Sequence, residues 1–133
     1  MNAALPILLV EDTEITLRIL SQMLAQLGFT NVTEVTDGFK AWEHLQDATK
    51  NGQPFRAVLC DWNMPGMSGL DLLRKINGDA KLAGTPFVLL TSNTDKEQVL
   101  EAVRAGVAHY LAKPFPLEAL RKKLREAVDS SHK

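Results

Sequence analysis

Asp61 is the leading candidate for the reactive group of this chain, because it ends a run of residues typical of a buried strand. A short apolar run, residues 57–60, ends at Asp61, and a loop rich in proline and glycine follows at once. Such a run between turn residues is typical of a strand that is buried on both faces. A carboxylate at its end lies at the edge of a parallel sheet where α/β proteins place their ligand sites.

Other polar residues end apolar runs in the same way. Glu11 and Asp12 follow the first run, Thr91 ends the fourth, and Lys113 follows the fifth. In a parallel sheet all of them would meet Asp61 at one edge. Converging carboxylates repel each other unless a cation lies among them. Oxygen ligands without histidine or cysteine favour a hard ion, so we expect Mg²⁺ rather than Zn²⁺ as the cofactor.

These residues together have the parts of a phosphoryl-transfer site. The metal and Lys113 would neutralise the charge on the phosphoryl oxygens, and the hydroxyl of Thr91 would donate a hydrogen bond. Asp61 would be the nucleophile and would become an aspartyl phosphate. Backbone N–H groups of the glycine-containing loop could face the phosphoryl oxygens. Trp62, beside Asp61, is expected to be exposed in this loop and to report on metal binding.

Five apolar runs alternate with amphipathic segments along the whole chain. The runs are residues 6–10, 31–36, 57–61, 87–91 and 107–112. This alternation, with no repeat or linker, requires right-handed crossovers and a mainly parallel sheet covered on both faces. We therefore predict an α/β fold of five βα units. It would form a single domain over residues 1–133, with its core at about residues 5–128.

Helical periodicity predicts the buried faces and the ends of the helices. Thr13 is the expected N-cap of the first helix, and Gly28 is expected to end it in the left-handed conformation. Residues 94–97 have capping-box spacing for the fourth helix, and Pro116 fits the first turn of the last. The apolar stripes are Ile19, Leu20, Met23, Leu24 and Leu27 in the first helix, Phe39, Trp42 and Leu45 in the second, Leu70, Leu72, Leu73 and Ile76 in the third, and Leu117, Leu120, Leu124 and Val128 in the last.

Composition excludes several classes of function. A net charge of -1 gives no reason to expect nucleic-acid binding. The one cysteine, Cys60, excludes an internal disulfide and a multi-cysteine metal site, and we expect it to be an inert core residue. Nothing resembles a signal peptide, and no apolar run approaches the ~20 residues of a membrane helix. A cytoplasmic protein without membrane contact is the default expectation.

The sequence resembles the receiver domain of two-component response regulators, and among them the single-domain chemotaxis regulators. The family's acidic pair matches Glu11 and Asp12, its phosphoacceptor Asp61, its hydroxyl residue Thr91 and its lysine Lys113. These matches occur in the family's order, each at a strand end, and the resemblance covers nearly the whole chain. It implies a flavodoxin-like, doubly wound (βα)5 fold with a five-stranded parallel sheet in the order 2-1-3-4-5.

The resemblance also implies a role for each site residue. Asp12, Asp61 and the backbone carbonyl of Asn63 would bind Mg²⁺ directly, and Glu11 would act through water. Lys113 would pair with Asp61 or its phosphate, and its peptide bond to the following proline would be cis. The acidic pair is Glu-Asp where Asp-Asp is usual, which should not abolish metal binding.

A conformational switch is the second implication of the resemblance. Thr91 would move towards the phosphoryl group, and Tyr110 would turn inward into the vacated space. The readout face would comprise the fourth helix, the fifth strand and the fifth helix. Its expected exposed residues are Lys96, Val99, Val103, Tyr110 and Lys123. Ser92, where alanine or glycine is usual, flanks the route of a hydrolytic water together with Asn93 and Asn63. His109 precedes the switch tyrosine where smaller residues are usual.

The function implied is a phosphorylation-dependent switch. Asp61 would accept a phosphoryl group from a sensor histidine kinase or a phosphotransfer protein, and the altered face would bind a downstream target protein. The flagellar motor switch is the preferred target, with a phosphatase as a further partner. We expect a monomer that catalyses only its own phosphorylation and dephosphorylation. No DNA-binding or catalytic output domain follows residue 130, so we expect the output to act through another protein.

Other functions remain open from the residues alone. The same chemistry could serve a single-domain phosphorelay shuttle, or a receiver that regulates another signalling protein. An aspartate-nucleophile phosphatase would need a second aspartate two residues after the nucleophile as general acid, and this chain has Asn63 there. A flavodoxin-type FMN binder would need a phosphate cradle after the first strand, where Glu11 and Asp12 would repel an anion.

Overall fold

The computed structural model of the chain describes residues 3–92 and 96–130, as a parallel sheet with helices on both faces. The strands are β1 (Ile7–Val10), β2 (Val32–Val35), β3 (Ala57–Asp61), β4 (Phe87–Thr91) and β5 (His109–Ala112). The helices are α1 (Glu14–Gln26), α2 (Gly38–Lys50), α3 (Gly69–Asn77), α4 (Lys96–Arg104) and α5 (Leu117–Ser130). The strands pair in parallel in the order β2-β1-β3-β4-β5, so the predicted fold and strand order are confirmed.

The three central strands are buried along their whole length. β1, β3 and β4 carry continuous runs of buried residues, as expected for a sheet that is covered on both faces. Alternate side chains of these strands enter two separate hydrophobic clusters, because successive residues of a strand point to opposite faces. One cluster includes residues of α2, α3 and α4, and the other includes residues of α1 and α5. Cys60 is buried in the first cluster, as expected.

Two residues of the predicted apolar stripes lie outside the core. Ile19 of α1 is 53% exposed, because the buried residues Leu17, Leu20 and Leu24 define a face that Ile19 does not share. Ile19 lies two positions after Leu17, about 200° around the helix. Phe39 of α2 is 57% exposed. The sheet covers only one narrow stripe of each helix, and the helical period alone does not fix its centre.

The helix ends agree only partly with the predictions. Gly28 has φ of +93° after α1, as predicted. Thr13 occupies the N-cap position of α1, but its side chain accepts no capping hydrogen bond. Pro116 directly precedes α5, and its carbonyl accepts hydrogen bonds from the backbone N–H groups of Ala119 and Leu120. The capping box predicted at residues 94–97 lies partly outside the described residues. The peptide bond between Lys113 and the next residue, a proline, is cis.

The edge strands β2 and β5 are shorter than predicted. β2 does not include residues 31 and 36, and β5 does not include residues 107 and 108. Strands β3 and β4 have the predicted bounds. No helix in the described part of the chain has the length and apolar character needed to span a membrane.

Gly69 lets α3 begin in direct contact with the end of β3. A Cβ atom built on Gly69 would overlap the carbonyl oxygen of Asp61 and would lie 2.9 Å from Cδ1 of Leu89. The backbone N–H of Gly69 donates to the carbonyl oxygen of Trp62 at 2.9 Å. Because backbone cannot yield as a flexible side chain does, any side chain at this position must push α3 away from β3.

We expect Gly69→Ala to lower the free energy of unfolding by about 1–3 kcal/mol, the usual cost of overpacking a core. The matched control is Gly78→Ala at the other end of α3, where φ is −84° and an added Cβ lies 3.3 Å from its nearest neighbour, the carbonyl oxygen of Arg74. Its free energy of unfolding should change by less than about 1 kcal/mol. Urea unfolding measures both. Equal destabilisation of the two variants would contradict the close contact at Gly69.

Candidate functional site

The carboxyl ends of four neighbouring strands bring together the polar residues singled out in the sequence. Glu11 directly follows β1, Asp61 ends β3, Thr91 ends β4, and Lys113 follows β5. The backbone N–H of Glu11 donates to Val35 of β2 at 3.1 Å, and that of Lys113 donates to Thr91 at 2.8 Å. The ladder hydrogen bonds thus continue one residue beyond these strand ends and fix where the side chains begin.

Three carboxylates form a compact cluster at this edge. Glu11, Asp12 and Asp61 each offer an oxygen atom, and these atoms lie within 4.8 Å of one another. Glu11 is buried, Asp61 is nearly so, and Asp12 is exposed to solvent. Burial raises the pKa of Glu11, the hydrogen bond from Lys113 lowers it, and the neighbouring charge of Asp61 raises it again; the net pKa is raised. The ionised form of Glu11 is therefore disfavoured in this cluster, and keeping its negative charge costs free energy.

Lys113 compensates part of that negative charge. Its Nζ donates to Oε2 of Glu11 and to Oδ1 of Asp61, both at 3.0 Å. Burial alone would lower the pKa of Lys113, but the hydrogen bonds to Asp61 and Glu11 outweigh burial and the net pKa is raised. The ammonium therefore stays charged. One cation among three carboxylates leaves the site negative, which favours a further cation.

The donor atoms fit a hard divalent cation. They are all carboxylate oxygens, and the exposed Asp12 leaves one side of the cluster open to water. Mg²⁺ prefers oxygen ligands and keeps several waters, so a cluster of this kind suits it. Both oxygens of Glu11 already accept hydrogen bonds, from Nζ of Lys113 at 3.0 Å and from the backbone N–H of Thr13 at 3.2 Å. That arrangement favours contact of Glu11 with a metal through water.

The loop after Asp61 is anchored by buried side chains, and the expectation that Trp62 is exposed is wrong. Trp62 is only 8% exposed and belongs to the hydrophobic cluster between the sheet and α2 and α3, together with Met64 and Met67. Its backbone N–H donates to Leu90 of β4 at 2.9 Å. Asn63 is exposed. The signal for this packing, apolar residues at positions 62, 64 and 67, was present in the sequence but has no helical or strand period.

The proposed switch residues occupy different environments. Thr91 is buried, whereas Tyr110 of β5 is 45% exposed and so points away from the core. Lys96 and Val103 are exposed as expected, but Val99 and Lys123 are half-buried. Of the described residues of α4, the buried one is Ala102.

His109, at the start of β5, is half-buried, and the charges of Lys123 and Glu126 of α5 act on it. Burial lowers its pKa, the nearby charge of Lys123 lowers it further, and the charge of Glu126 raises it. A neutral imidazole is therefore favoured at this position. The structure places His109 far along β5 from the carboxylate cluster, since Lys113 follows the opposite end of that strand.

Comparison with known proteins agrees with this geometry. Residues 7–125 match the response regulator receiver domain family. The chain is 41% identical to the chemotaxis protein CheY-3 of Vibrio cholerae over 93% of this chain and 92% of that protein. It is 38% identical to the chemotaxis protein CheY of Pseudomonas aeruginosa over 92% of this chain and 95% of that protein.

A solved structure gives the same result. The receiver domain of a sensor histidine kinase from Pseudomonas aeruginosa superimposes with a TM-score of 0.81 at 31% identity, covering 95% of this chain and 98% of that domain. That crystal structure has a magnesium ion coordinated in its active-site cleft. The family match, the curated relatives and the fold all agree. The chain therefore belongs to the response regulator receiver domain family, and it is a two-component signalling switch homologous to the CheY chemotaxis proteins.

Proposed function

We propose that Asp61 is the phosphoacceptor of this switch and that the reaction requires Mg²⁺. The observation that carries the proposal is the position of Lys113, whose Nζ lies 3.0 Å from both Asp61 and Glu11. An ammonium held between two carboxylates at a solvent-facing strand edge is placed to pair with oxygens added to one of them. A lysine that only neutralised the buried carboxylates of Glu11 and Asp61 would not need the exposed carboxylate of Asp12 beside it.

The carboxylate cluster would hold the metal. Asp12, Asp61 and the backbone carbonyl of Asn63 would be direct ligands, with Glu11 acting through water. When bound, Mg²⁺ supplies positive charge that offsets the charge on the transferring phosphoryl group. Asp12 is the exposed member of the cluster, so it can reach an ion that still keeps part of its hydration shell.

Asp61 would then attack the phosphorus atom of a phosphohistidine on a sensor kinase or phosphotransfer protein. A bond forms between a carboxylate oxygen and phosphorus as the bond from phosphorus to the imidazole nitrogen breaks. The ammonium of Lys113 would shift towards the phosphoryl group and pair with one of its oxygens. The hydroxyl of Thr91, at the end of the neighbouring strand, would donate to another. In this reaction the protein promotes only its own phosphorylation and the later hydrolysis of its aspartyl phosphate.

The output would pass through the readout face of α4, β5 and α5. Thr91 and Lys113 are joined by a backbone hydrogen bond of 2.8 Å, so a shift of Thr91 towards the phosphate acts directly on the end of β5. Tyr110 lies on that strand, three residues before Lys113, and would turn inward. Leu100 and Val103 of α4 are also exposed and apolar, and a protein target could cover them together with Tyr110.

A protein of the flagellar motor switch is the proposed target, since the curated relatives are chemotaxis proteins. The proposed setting is the cytoplasm, with the domain acting as a monomer and with a phosphatase as a further partner. Phosphorelay shuttling, or regulation of another signalling protein, uses the same site with different partners. Pull-down with the phosphorylated protein separates these cases. Binding to a phosphotransfer domain but not to a motor-switch protein would favour the relay.

Asp61→Asn should not be phosphorylated by acetyl phosphate, because an amide cannot act as the nucleophile. Wild-type protein should be labelled in Mg²⁺ and should lose labelling when EDTA is added. Phosphate-affinity gels or intact mass measure the product. The control is Asp47→Asn, an exposed aspartate of α2, which should be labelled like wild type. Wild-type labelling of Asp61→Asn would refute the assignment of the phosphoacceptor.

Lys113→Met should bind Mg²⁺ more tightly than wild type, by up to about tenfold, because removal of the ammonium leaves the carboxylates uncompensated. The same variant should be phosphorylated more slowly, since the phosphoryl oxygens lose a cationic partner. Isothermal titration with MgCl₂ and labelling with acetyl phosphate give the two quantities. Lys122→Met, on the exposed face of α5, is the charge-matched control. Weaker Mg²⁺ binding by Lys113→Met would contradict the proposed electrostatics.

Val103→Glu should be phosphorylated normally but should bind the target at least about tenfold more weakly. The added carboxylate would lose its hydration in the apolar contact and gain no partner there. Gln46→Glu, an exposed position of α2, adds the same charge outside the readout face and should bind normally. Surface plasmon resonance with the phosphorylated proteins measures both affinities. Normal target binding by Val103→Glu would show that the output uses another surface.

A further inference from the structure

The loop between β3 and α3, residues 62–68, is held on its outer side by the first residues of α2. A Cβ atom built on Gly38 would lie 2.8 Å from Cβ of Met67 and 3.0 Å from its carbonyl oxygen. A Cβ atom built on Gly66 would lie 2.9 Å from Cε2 of Phe39. At Gly38 a side chain would meet the backbone of the loop and push the helix away, whereas at Gly66 it would displace the ring of Phe39. We call these two contacts the α2 clasp.

Phe39 contributes to this contact rather than to the core. It is 57% exposed, whereas Ala41 and Leu45 form the buried face of the same helix. The start of α2 does not depend on its ring, since Oδ1 of Asp37 caps the helix by accepting from the backbone N–H of Lys40 at 2.7 Å. Gly66 has φ of +81°, a conformation that L side chains rarely adopt, so the loop presents bare backbone to the ring.

The loop has other anchors at its two ends. At the start, the backbone of Trp62 bonds to Leu90 and to Gly69, both at 2.9 Å. At the end, Ser68 and Asp71 form a reciprocal capping box with hydrogen bonds of 3.1 and 3.2 Å. Between these anchors lie the exposed Asn63, the buried side chain of Met64 and the turn at Gly66 that Phe39 covers. The ring of Phe39 therefore meets the loop three residues after Asn63, the residue whose carbonyl is the proposed ligand.

We propose that Phe39 is a positioning residue for the metal site: its ring holds the loop so that the carbonyl of Asn63 is already in place for a divalent cation. The inference rests on the proposed function, because its ligand is the Mg²⁺ of that function. A ligand that is held before the ion arrives binds it more tightly than one that must be ordered on binding. Mutation of groups that orient metal ligands typically lowers metal affinity by about 10- to 100-fold.

The test is the Mg²⁺ dissociation constant, measured by isothermal titration at fixed ionic strength. Phe39→Ala should weaken binding by about tenfold, a typical effect for residues that orient metal ligands. Phe39→Leu, which retains an apolar side chain over Gly66, should recover most of the affinity. The control is Ile19→Ala on α1, where a side chain of similar exposure, 53%, is removed. It should bind Mg²⁺ like wild type.

A second measurement separates positioning from general stability. Amide hydrogen exchange of residues 63–67 should be faster in metal-free Phe39→Ala than in metal-free wild type, while the amides of β3 and α3 keep their protection. Urea unfolding should place Phe39→Ala close to Ile19→Ala. Loss of protection throughout the chain, together with strong destabilisation, would show that Phe39 is a structural residue and would overturn the proposal. If Phe39→Ala does not fold, unchanged affinity and unchanged loop exchange in Gly66→Ala, whose added Cβ meets the same ring, would overturn it.

Failure of this inference can be told apart from failure of the proposed function. The latter fails if wild type shows no saturable Mg²⁺ binding, or if Asp12→Asn binds as wild type does. If wild type binds Mg²⁺, Asp12→Asn does not, and Phe39→Ala equals wild type, only the positioning role of Phe39 is refuted.

Discussion

The ammonium of Lys113 between Glu11 and Asp61 is the interaction on which the site depends. It joins residues that are 102 and 52 positions apart in the sequence. Glu11 is buried, and burial raises its pKa, so two carboxylates at this edge would be costly without a nearby cation. The sheet makes the contact possible, because its strand order places the ends of β1, β3, β4 and β5 side by side.

The same interaction links the site to the readout face. Lys113 contacts the carboxylate cluster through its side chain and Thr91 through its backbone N–H. In the proposed reaction, charge added at Asp61 draws both the ammonium and the hydroxyl of Thr91, and these belong to neighbouring strand ends. Tyr110 lies on the same short strand that leads to Lys113. A local change of charge therefore needs no long pathway to reach an exposed surface.

Much of the fold and the site could be predicted from the sequence, for a physical reason. Strands buried on both faces must be continuously apolar, so their ends are marked sharply by the first polar residue, as at Asp61 and Thr91. What failed depended on tertiary packing. Phe39 has the spacing of a core residue, but its ring meets the loop at Gly66. Trp62 lies in a proline- and glycine-rich loop, yet α2 and α3 leave a space that buries it.

The glycines around the site show how unevenly the molecule is packed. Gly38, Gly66 and Gly69 each allow a close contact, and all three lie in the loop that follows Asp61 or directly against it. On the output side, α4 has Ala102 as its buried residue among those described, and it meets α3 through an exposed ion pair between Arg74 and Glu101 at 3.8 Å. Exposed pairs of this kind stabilise little. A closely packed loop at Asp61 beside a weakly packed α4 suits a switch. Movement of α4 then costs less free energy than rearrangement of the phosphorylation site, so phosphorylation shifts the helix.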